Sequence, residues 1–251
     1  MFGKISKKNI LITGGNGNLG KALRKNNFFK KSYFPTKKEL NILNQNQLKL
    51  YFSKNKFNII VHCAAIAKMR QCEINKKKAY SVNVIGTANL IKFVKIYCPN
   101  TLFVFISSDA VYPCKKGNYN ENSKLKSYNY YGKTKILSEN KVKKNKNFLI
   151  IRTRFFNKDN IKFKDAAIDS YSSSVEINIL VKYLKELIKK EYKGIFNVGR
   201  KKISDYDLFK KYKKNIKKTT IKKIQEKKQY NLSIDASMNC NKFKKALNAK
   251  K

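Results

Sequence analysis

The sequence predicts an α/β protein built on a doubly wound parallel sheet and followed by a small C-terminal lobe. Two observations support this. Strand-like and helix-like segments alternate from the N-terminus, and the strand-like segments are continuous apolar runs, as in a parallel sheet covered by helices on both faces. A glycine-rich turn also joins the first strand to the first helix. Because crossovers between parallel strands are right-handed, such a chain places helices on both faces of its sheet.

The part of the chain that ends at Arg152 contains the predicted strands of this sheet and the helices between them. Strands are predicted over residues 9–13, 32–34, 57–64, 101–106 and 148–152, of which the second is the weakest. Helices are predicted from the glycine-rich turn to residue 26 and over residues 45–55, 76–97 and 129–143. Each helix thus connects two neighbouring strands of the sequence, as βαβ units require.

The remainder of the chain has a less regular pattern. It is irregular as far as Ser174, after which a helix is predicted over 175–190, a strand over 194–198 and a helix over 204–215. Ser172, Ser173 and Ser174 are of a residue type that caps helices, so we expect them to cap the first of these. We therefore predict a dinucleotide-binding domain over residues 1–154 and a small, shortened substrate-binding lobe over residues 155–251.

Composition excludes several classes of protein. The 251 residues are 42% hydrophobic, enough for a sizeable core. Apolar stretches are far shorter than the ~20 residues of a membrane helix, and the first strand begins too early for a signal peptide. With one histidine and five cysteines that form no C-x-x-C pair, neither a metal site nor a disulfide framework is predicted. We expect a cytoplasmic protein without membrane insertion.

A formal net charge of +43 raises the question of a nucleic-acid partner. Of the 58 basic residues, however, 53 are lysines spread along most of the chain, with their densest stretch at Lys201–Lys228. Lysine and asparagine codons are A-rich, so an AT-rich genome produces this bias. Readers of base edges prefer arginine, of which there are five. We expect weak, salt-sensitive adsorption to polyanions and no specific nucleic-acid partner.

The glycine-rich turn, Thr13–Gly20, has the spacing of a dinucleotide-binding motif of the Rossmann type. Gly14 permits the tight turn, Gly17 lets the backbone approach a pyrophosphate, and Gly20 lets the helix pack closely. The first amides of the following helix are then available to phosphate oxygens. The motif predicts nucleotide binding.

The end of the second strand distinguishes NADP(H) from NAD(H). An acidic residue there would bind the ribose hydroxyls of NAD, but the first carboxylate is Glu39. Lys37 and Lys38 precede it and suit a 2′-phosphate. NADP(H) is therefore favoured over NAD(H).

Tyr131 and Lys135 form a Tyr-x-x-x-Lys pair at the start of a predicted helix. Residues four apart share a helix face, so the ammonium group can approach the phenol and lower its pKa, which prepares an acid/base. With 15 tyrosines and 53 lysines, chance alone predicts roughly three such pairs, and the sequence has four. The other three begin at Tyr33, Tyr112 and Tyr206.

Context separates the four pairs. Tyr131 alone opens a helix that follows a buried strand ending in Ser107, Ser108 and Asp109. Ligands of doubly wound sheets bind at the carboxyl ends of the strands, so Ser108 and Tyr131 are expected to converge there. Ser108 would then hydrogen-bond a substrate carbonyl while Tyr131 delivers the proton.

Together these motifs resemble the extended short-chain dehydrogenases/reductases, and within them the dTDP-4-dehydrorhamnose reductase branch. The segments that carry the resemblance are Thr13–Gly20, His62–Ala65, Ser81–Thr87, Ile106–Tyr112, Tyr119–Glu121, Tyr131–Lys135, Gly194–Val198 and Asp235–Leu247. The resemblance implies a catalytic set of Ser108, Tyr131, Lys135 and Asn83. It implies a cofactor site of Gly14, Gly17, Asn18, Leu19, Gly20, Lys37, Asn41, Ala64, Ala65 and Lys135. His62 is read as part of the strand-end motif and not as a base.

The resemblance implies NADP(H)-dependent reduction of a keto group on a nucleotide-activated deoxysugar, for surface polysaccharide precursors. We also expect a homodimer. Two departures bear on the implied reaction: Asn41 stands where the branch often has Asp, and the segment Arg154–Ser174 is shortened. One alternative is an NAD-dependent sugar-nucleotide epimerase or dehydratase. A dehydratase would need an acidic residue beside Ser108, and Asp109 is in that position. A non-catalytic NADP-binding regulatory subunit is another, because a subunit of methionine adenosyltransferase also resembles this branch.

Overall fold

A computed structural model describes residues 8–228 and 232–249 of the chain. Its centre is a parallel sheet of six strands in the order β2-β1-β3-β4-β5-β6. The strands are β1 (Ile10–Thr13), β2 (Ser32–Tyr33), β3 (Ile59–His62), β4 (Leu102–Ser108), β5 (Phe148–Thr153) and β6 (Gly194–Asn197). The predicted doubly wound fold is confirmed.

Ten α-helices surround the sheet in the described part of the chain. They are α1 (Asn18–Lys25), α2 (Gln45–Lys54), α3 (Met69–Ile74), α4 (Lys76–Tyr80), α5 (Gly86–Tyr97), α6 (Tyr130–Val142), α7 (Ile177–Lys189), α8 (Asp205–Lys210), α9 (Ile221–Lys228) and α10 (Asn241–Asn248). A π-helical turn, Ser81–Ile85, joins α4 to α5, and short 3₁₀ turns span Asp109–Val111 and Lys158–Asn160. None of the described helices is long and apolar enough to cross a membrane.

Alternate residues of the strands bury their side chains on opposite faces of the sheet. On one face, Ile10 and Ile12 pack with side chains of α1, α7 and α10. On the other face, Leu11 packs with side chains of α2 and α5. Because both faces are covered, the strands are apolar throughout, which is the pattern that the sequence displays.

The second part of the chain both extends the sheet and builds a small lobe beside it. Strand β6 pairs with β5, so the predicted boundary at residue 154 does not separate the sheet from the rest of the chain. The division into two domains stays a prediction. Three two-stranded pairs lie outside the sheet: Phe155–Phe156 with Val175–Glu176, Asp165–Ala167 with Lys217–Thr219, and Tyr171–Ser172 with Ile203–Ser204.

Three local predictions are corrected here. The cap of α7 is Glu176, whose carboxylate accepts from the amides of Asn178 and Ile179, and not the serines 172–174. The helix predicted over 204–215 ends at Lys210. The helix predicted over 76–97 contains the π-helical turn Ser81–Ile85, a rare feature that is frequent at functional sites.

Candidate active site

Ser108 is the last residue of β4 and lies at the carboxyl edge of the sheet. Its hydroxyl donates to Asp109 Oδ1 at 3.0 Å and accepts from the Ala110 amide at 3.1 Å. The second contact caps the 3₁₀ turn Asp109–Val111, through which the chain leaves the strand. The strand end therefore fixes the Ser108 hydroxyl in one place.

Tyr131 reaches this hydroxyl because α6 packs closely against the 3₁₀ turn. Asn129 caps the helix by accepting from the Gly132 amide at 2.8 Å. A Cβ on Gly132 would overlap the Ala110 carbonyl oxygen, so a glycine is required at this contact. The side chains of Tyr131 and Ser108 lie close enough for Ser108 to affect the pKa of the phenol. The predicted convergence of these two residues is thus found in the structure.

The pKa of the Tyr131 phenol is raised and not lowered, which corrects the sequence-based expectation. Burial is the main cause, and the charge of Asp109 adds to it, while the hydrogen bond with Ser108 acts in the opposite direction. Burial disfavours the charged form of any acid. Tyr131 is therefore a neutral phenol that holds a proton.

Lys135 lies one turn further along α6 and is buried, with 4% of its surface exposed. Its ammonium nitrogen donates to the Ile106 carbonyl at 2.8 Å and lies 5.9 Å from the centre of the Tyr131 ring. Burial lowers its pKa to about 8. The cation is thus held behind the Ser108–Tyr131 pair.

Replacing Lys135 by methionine should remove a pH-dependent contribution to stability. Between its folded pKa of about 8 and its ordinary value of 10.5, the unfolded chain binds a proton that the folded chain does not. The folded wild type should therefore gain stability over Lys135→Met as pH rises through this window, by about 3 kcal/mol. Urea unfolding of both proteins at the two ends of the window measures this gain. A difference that does not vary with pH would contradict the assigned pKa.

Asn83 lies in the π-helical turn and uses its amide for internal contacts. Its Oδ1 accepts from the Ile66 amide at 2.8 Å, and its Nδ2 donates to the Ile66 carbonyl at 3.1 Å and to Thr134 Oγ1 at 2.9 Å. Thr134 lies between Tyr131 and Lys135 on α6. Asn83 therefore joins this helix to the loop after β3.

His62 is a buried, neutral residue at the end of β3. Its ring nitrogens lie 2.7 Å from Thr13 Oγ1 and 2.9 Å from Thr87 Oγ1. Burial, together with the charge of Lys135, lowers its pKa to about 3. With both nitrogens occupied it does not present a base to the site, in agreement with the sequence analysis. The described residues include no cluster of side chains suited to hold a metal ion.

The glycine-rich turn has the backbone geometry that the motif predicts. Gly14 has φ +72°, and a Cβ there would lie 2.7 Å from the Ala64 amide nitrogen. Gly17 is exposed and precedes α1 without a side-chain cap. A Cβ on Gly20 would lie 2.5 Å from the Gly14 carbonyl oxygen, so Gly20 sets the approach of α1 to the turn. The first amides of α1 lack partners within the helix and are available to an anion.

A cleft of about 340 Å³ opens beside this turn, between the ends of β1 and β3. This is the point at which the connections of the sheet change direction, where doubly wound folds bind ligands. Of the predicted cofactor residues, those that line the cleft are Gly14, Gly17, Lys37, Asn41, Ala64 and Ala65. Leu19 is buried in the core and Gly20 against the turn, while Asn18 is exposed. Lys135 does not line the cleft and lies beside Tyr131 on α6.

The cleft has lining residues that the sequence analysis did not identify. Lys78 and Val82, from α4 and the π-helical turn, form part of its wall together with Pro35. No signal in the sequence distinguishes Lys78 from the other lysines. Glu39 does not line the cleft, and its carboxylate accepts from the Thr36 amide at 2.6 Å. That hydrogen bond lowers the pKa of Glu39.

A second missed feature is the ion pair of Arg154 and Asp109. Arg154 Nε lies 2.6 Å from Asp109 Oδ2, and Arg154 Nη2 donates to Ser233 Oγ at 3.0 Å. Burial raises the pKa of Asp109, while the charge of Arg154 acts in the opposite direction. Both carboxylate oxygens are thus engaged, one by Ser108 and one by Arg154.

Comparison with known proteins gives related matches over most of the chain. Residues 8–181 match the family model described as the RmlD substrate binding domain. Methionine adenosyltransferase 2 subunit beta of Xenopus laevis is 27% identical over 186 residues, covering 69% of this chain and 54% of that protein. The dTDP-4-dehydrorhamnose reductase of Aggregatibacter actinomycetemcomitans is 31% identical over 134 residues, covering 52% and 45%. This chain therefore spans about half the length of these curated relatives.

A solved structure extends the likeness to nearly the whole chain. The dTDP-4-dehydrorhamnose reductase of Bacillus anthracis, determined in complex with NADP, superposes with a TM-score of 0.86 at 24% sequence identity. The superposition covers 95% of this chain and 92% of that one. The two proteins thus share a fold that includes the small C-terminal lobe.

Proposed function

Because the chain belongs to the family of the RmlD substrate binding domain, we propose that it is an NADP(H)-dependent oxidoreductase of the extended short-chain dehydrogenase/reductase type. Its reaction is the reduction of a keto group on a nucleotide-activated deoxysugar, in the synthesis of surface polysaccharide precursors. The observation that carries this proposal is that Ser108 and Tyr131 lie side by side, with the buried ammonium group of Lys135 at 5.9 Å from the centre of the Tyr131 ring. A cytoplasmic location and a homodimer remain predictions from the sequence.

Ser108 and Tyr131 can both direct a hydroxyl group at one carbonyl oxygen. On binding of the substrate, the Ser108 hydroxyl would turn from Asp109 Oδ1 to the carbonyl oxygen and polarise it, and neutral Tyr131 would transfer its proton to this oxygen as negative charge develops there. The ammonium group of Lys135 stabilises the phenolate that this transfer leaves, because it lies on the same helix face. NADPH, when bound, supplies the hydride.

The glycine cradle fits a dinucleotide. A Cβ on Gly17 would meet only the Gly14 carbonyl oxygen, at 3.2 Å, so the outer side of the turn is open to a pyrophosphate. The amides at the start of α1 would bind the phosphates, and Ala64 and Ala65 would leave room for the adenosine and nicotinamide halves. Asn41 would lie near the adenine, although its Oδ1 already accepts from the Leu43 amide at 3.1 Å.

The preference for NADP(H) rests on the charges around the cleft. Lys37 lines it and is exposed, and the nearest carboxylate in sequence, Glu39, is engaged by Thr36. A lysine suits a 2′-phosphate, whereas a free carboxylate would suit the ribose hydroxyls of NAD. This arrangement favours the phosphorylated cofactor.

Specific observations in the structure count against two of the alternative functions. A dehydratase would use the carboxyl group of Asp109 as an acid, but the Arg154 ion pair and the Ser108 hydroxyl engage both of its oxygens. A regulatory subunit, as suggested by the relative in Xenopus laevis, would not need Ser108 and Tyr131 side by side with the buried ammonium group of Lys135 next to them. An NAD-dependent epimerase would use the same three residues and differs in its product.

The proposal is tested by incubating the purified protein with NADPH and a panel of nucleotide-linked ketosugars, including dTDP-4-dehydro-6-deoxyhexoses. Loss of NADPH absorbance that requires one of these sugars supports the proposal. Epimerised sugar without net NADPH consumption would favour the epimerase. Binding of NADPH without turnover of any sugar would favour the regulatory subunit.

A further inference from the structure

Behind the catalytic residues lies an ion pair that is almost wholly shielded from water. The side chains of Glu139 and Arg152 are 0% and 1% exposed. Arg152 Nη2 donates to Glu139 Oε2 at 2.7 Å, and Arg152 Nε donates to Glu139 Oε1 at 3.0 Å. Removing two charges from water is costly, and an apolar pair of similar volume is often equally or more stabilising. Stability alone is therefore a weak reason for this pair.

The pair connects the two elements that carry the catalytic side chains. Glu139 is on α6, one turn after Lys135. The hydroxyl of Ser107, the residue before Ser108, donates to Glu139 Oε1 at 2.6 Å. Arg152 lies directly opposite Ser107 in the pairing of β4 with β5. Glu139 thus holds α6 against the end of β4.

The same arginine also holds the chain that follows Ser108. Arg152 Nη1 donates to the Tyr112 hydroxyl at 2.9 Å and to the Glu121 carbonyl at 3.0 Å. The Tyr112 hydroxyl in turn donates to Asn197 Oδ1 on β6 at 2.8 Å. Strands β4, β5 and β6 and the loop between β4 and α6 are therefore joined in one buried network.

The network also acts electrostatically on Lys135. Burial lowers the pKa of this lysine, and the negative charge of Glu139 partly offsets the effect. The side chain of Lys135 shares its buried surroundings with Glu139 because the two are four residues apart on one helix. Glu139 therefore influences both the position and the charge of the lysine.

We propose that Glu139 and Arg152 are positioning residues, which fix the distance between Ser108 on β4 and the Tyr131–Lys135 face of α6. This inference rests on the proposed function, since that function gives the three residues their roles. The pair does not touch the substrate. It acts through Ser107 on one side and through α6 on the other, where a displacement of about 1 Å can cost about 10²-fold in rate.

The test is the double variant Glu139→Leu with Arg152→Met, which removes both charges and keeps apolar volume. We expect it to unfold cooperatively and to bind NADPH as the wild type does, while kcat with the reactive ketosugar falls by about 10²-fold and KM changes little. Leu187→Ala, in the buried face of α7, is the control: it should lower the melting temperature and leave kcat unchanged when assayed below that temperature. Wild-type kcat in the double variant would overturn the proposal.

A second measurement is independent of turnover. In protein labelled with ¹³C-lysine, the side chain of Lys135, assigned from Lys135→Met, should titrate near its pKa of about 8. In Glu139→Gln, which removes only the negative charge and keeps Arg152, this titration should move to lower pH. An unchanged titration would overturn the proposal, whether or not any ketosugar is turned over. Absence of turnover with every ketosugar would, by itself, count only against the proposed function.

Ser107→Ala is the second variant and decides the matter if the double variant does not fold. It keeps both charges and removes only the hydrogen bond between β4 and Glu139. We expect lower kcat, unchanged affinity for NADPH and a melting temperature lower by a few degrees, because the buried carboxylate loses one donor. Unaltered kcat in Ser107→Ala would overturn the positioning role.

Discussion

Replacing Tyr131 by phenylalanine should lower turnover by about 10²- to 10⁴-fold, the usual contribution of a positioned acid/base group. In the proposed mechanism the neutral phenol beside Ser108 donates the proton, and phenylalanine keeps the ring and removes this proton. Binding of NADPH should remain, because the glycine cradle is unchanged. Steady-state kinetics with the reactive ketosugar, together with a thermal melt of each protein, measure the effect.

The matched control is Tyr206→Phe. Tyr206 belongs to another Tyr-x-x-x-Lys pair and has Lys210 Nζ at 5.5 Å from its ring centre, but it packs in the small cluster of the C-terminal lobe. Tyr206→Phe should retain turnover close to that of the wild type. Equal losses at Tyr131 and Tyr206 would show that the active site is misplaced.

Replacing Gly17 by valine should abolish the stabilisation that NADP(H) gives. At a ligand concentration 100-fold above its Kd, binding stabilises a folded protein by about 2.7 kcal/mol, and this gain should be lost. Gly17 is exposed, and its added Cβ would contact only the Gly14 carbonyl oxygen, at 3.2 Å, so the fold should survive. The valine side chain would occupy the place of the pyrophosphate.

Thermal melts of wild type and Gly17→Val with and without NADP(H) make the comparison. Gly14→Val is a contrasting variant, since it should fail to fold: its backbone has φ +72° and its Cβ would overlap Ala64. A cooperative Gly17→Val protein that keeps the full NADP(H)-induced shift in melting temperature would refute the assigned cradle.

Most of the sheet could be predicted because its strands are buried on both faces. Continuous apolar runs mark β1, β3, β4 and β5, and the glycine spacing marks the turn after β1. Strand β6 was predicted as an element, but its return to the sheet beside β5 was not, because pairing depends on contacts distant in sequence. The lobe has short two-stranded pairs that carry too few residues for a periodic signal.

The candidate site was predictable where context removed ambiguity. Four Tyr/Lys pairs could not be ranked by spacing, and the strand that precedes Tyr131 selected the pair that the structure places beside Ser108. The direction of the Tyr131 pKa shift could not be predicted, because it depends on burial and on Asp109, which only the packed structure reveals. The Arg154 ion pair was missed for the same reason.

In the proposed reaction, NADPH bound to this chain transfers a hydride to a sugar carbonyl while Tyr131 supplies the proton. The most direct measurement is turnover of a nucleotide-linked ketosugar with NADPH deuterated at the transferable position, followed by mass spectrometry and NMR of the product. We expect one deuterium on the former carbonyl carbon, and at most about 1% as much of this product when Tyr131→Phe is used for the same time. A product without deuterium would contradict this mechanism. Recovery of every tested ketosugar unchanged would contradict it as well.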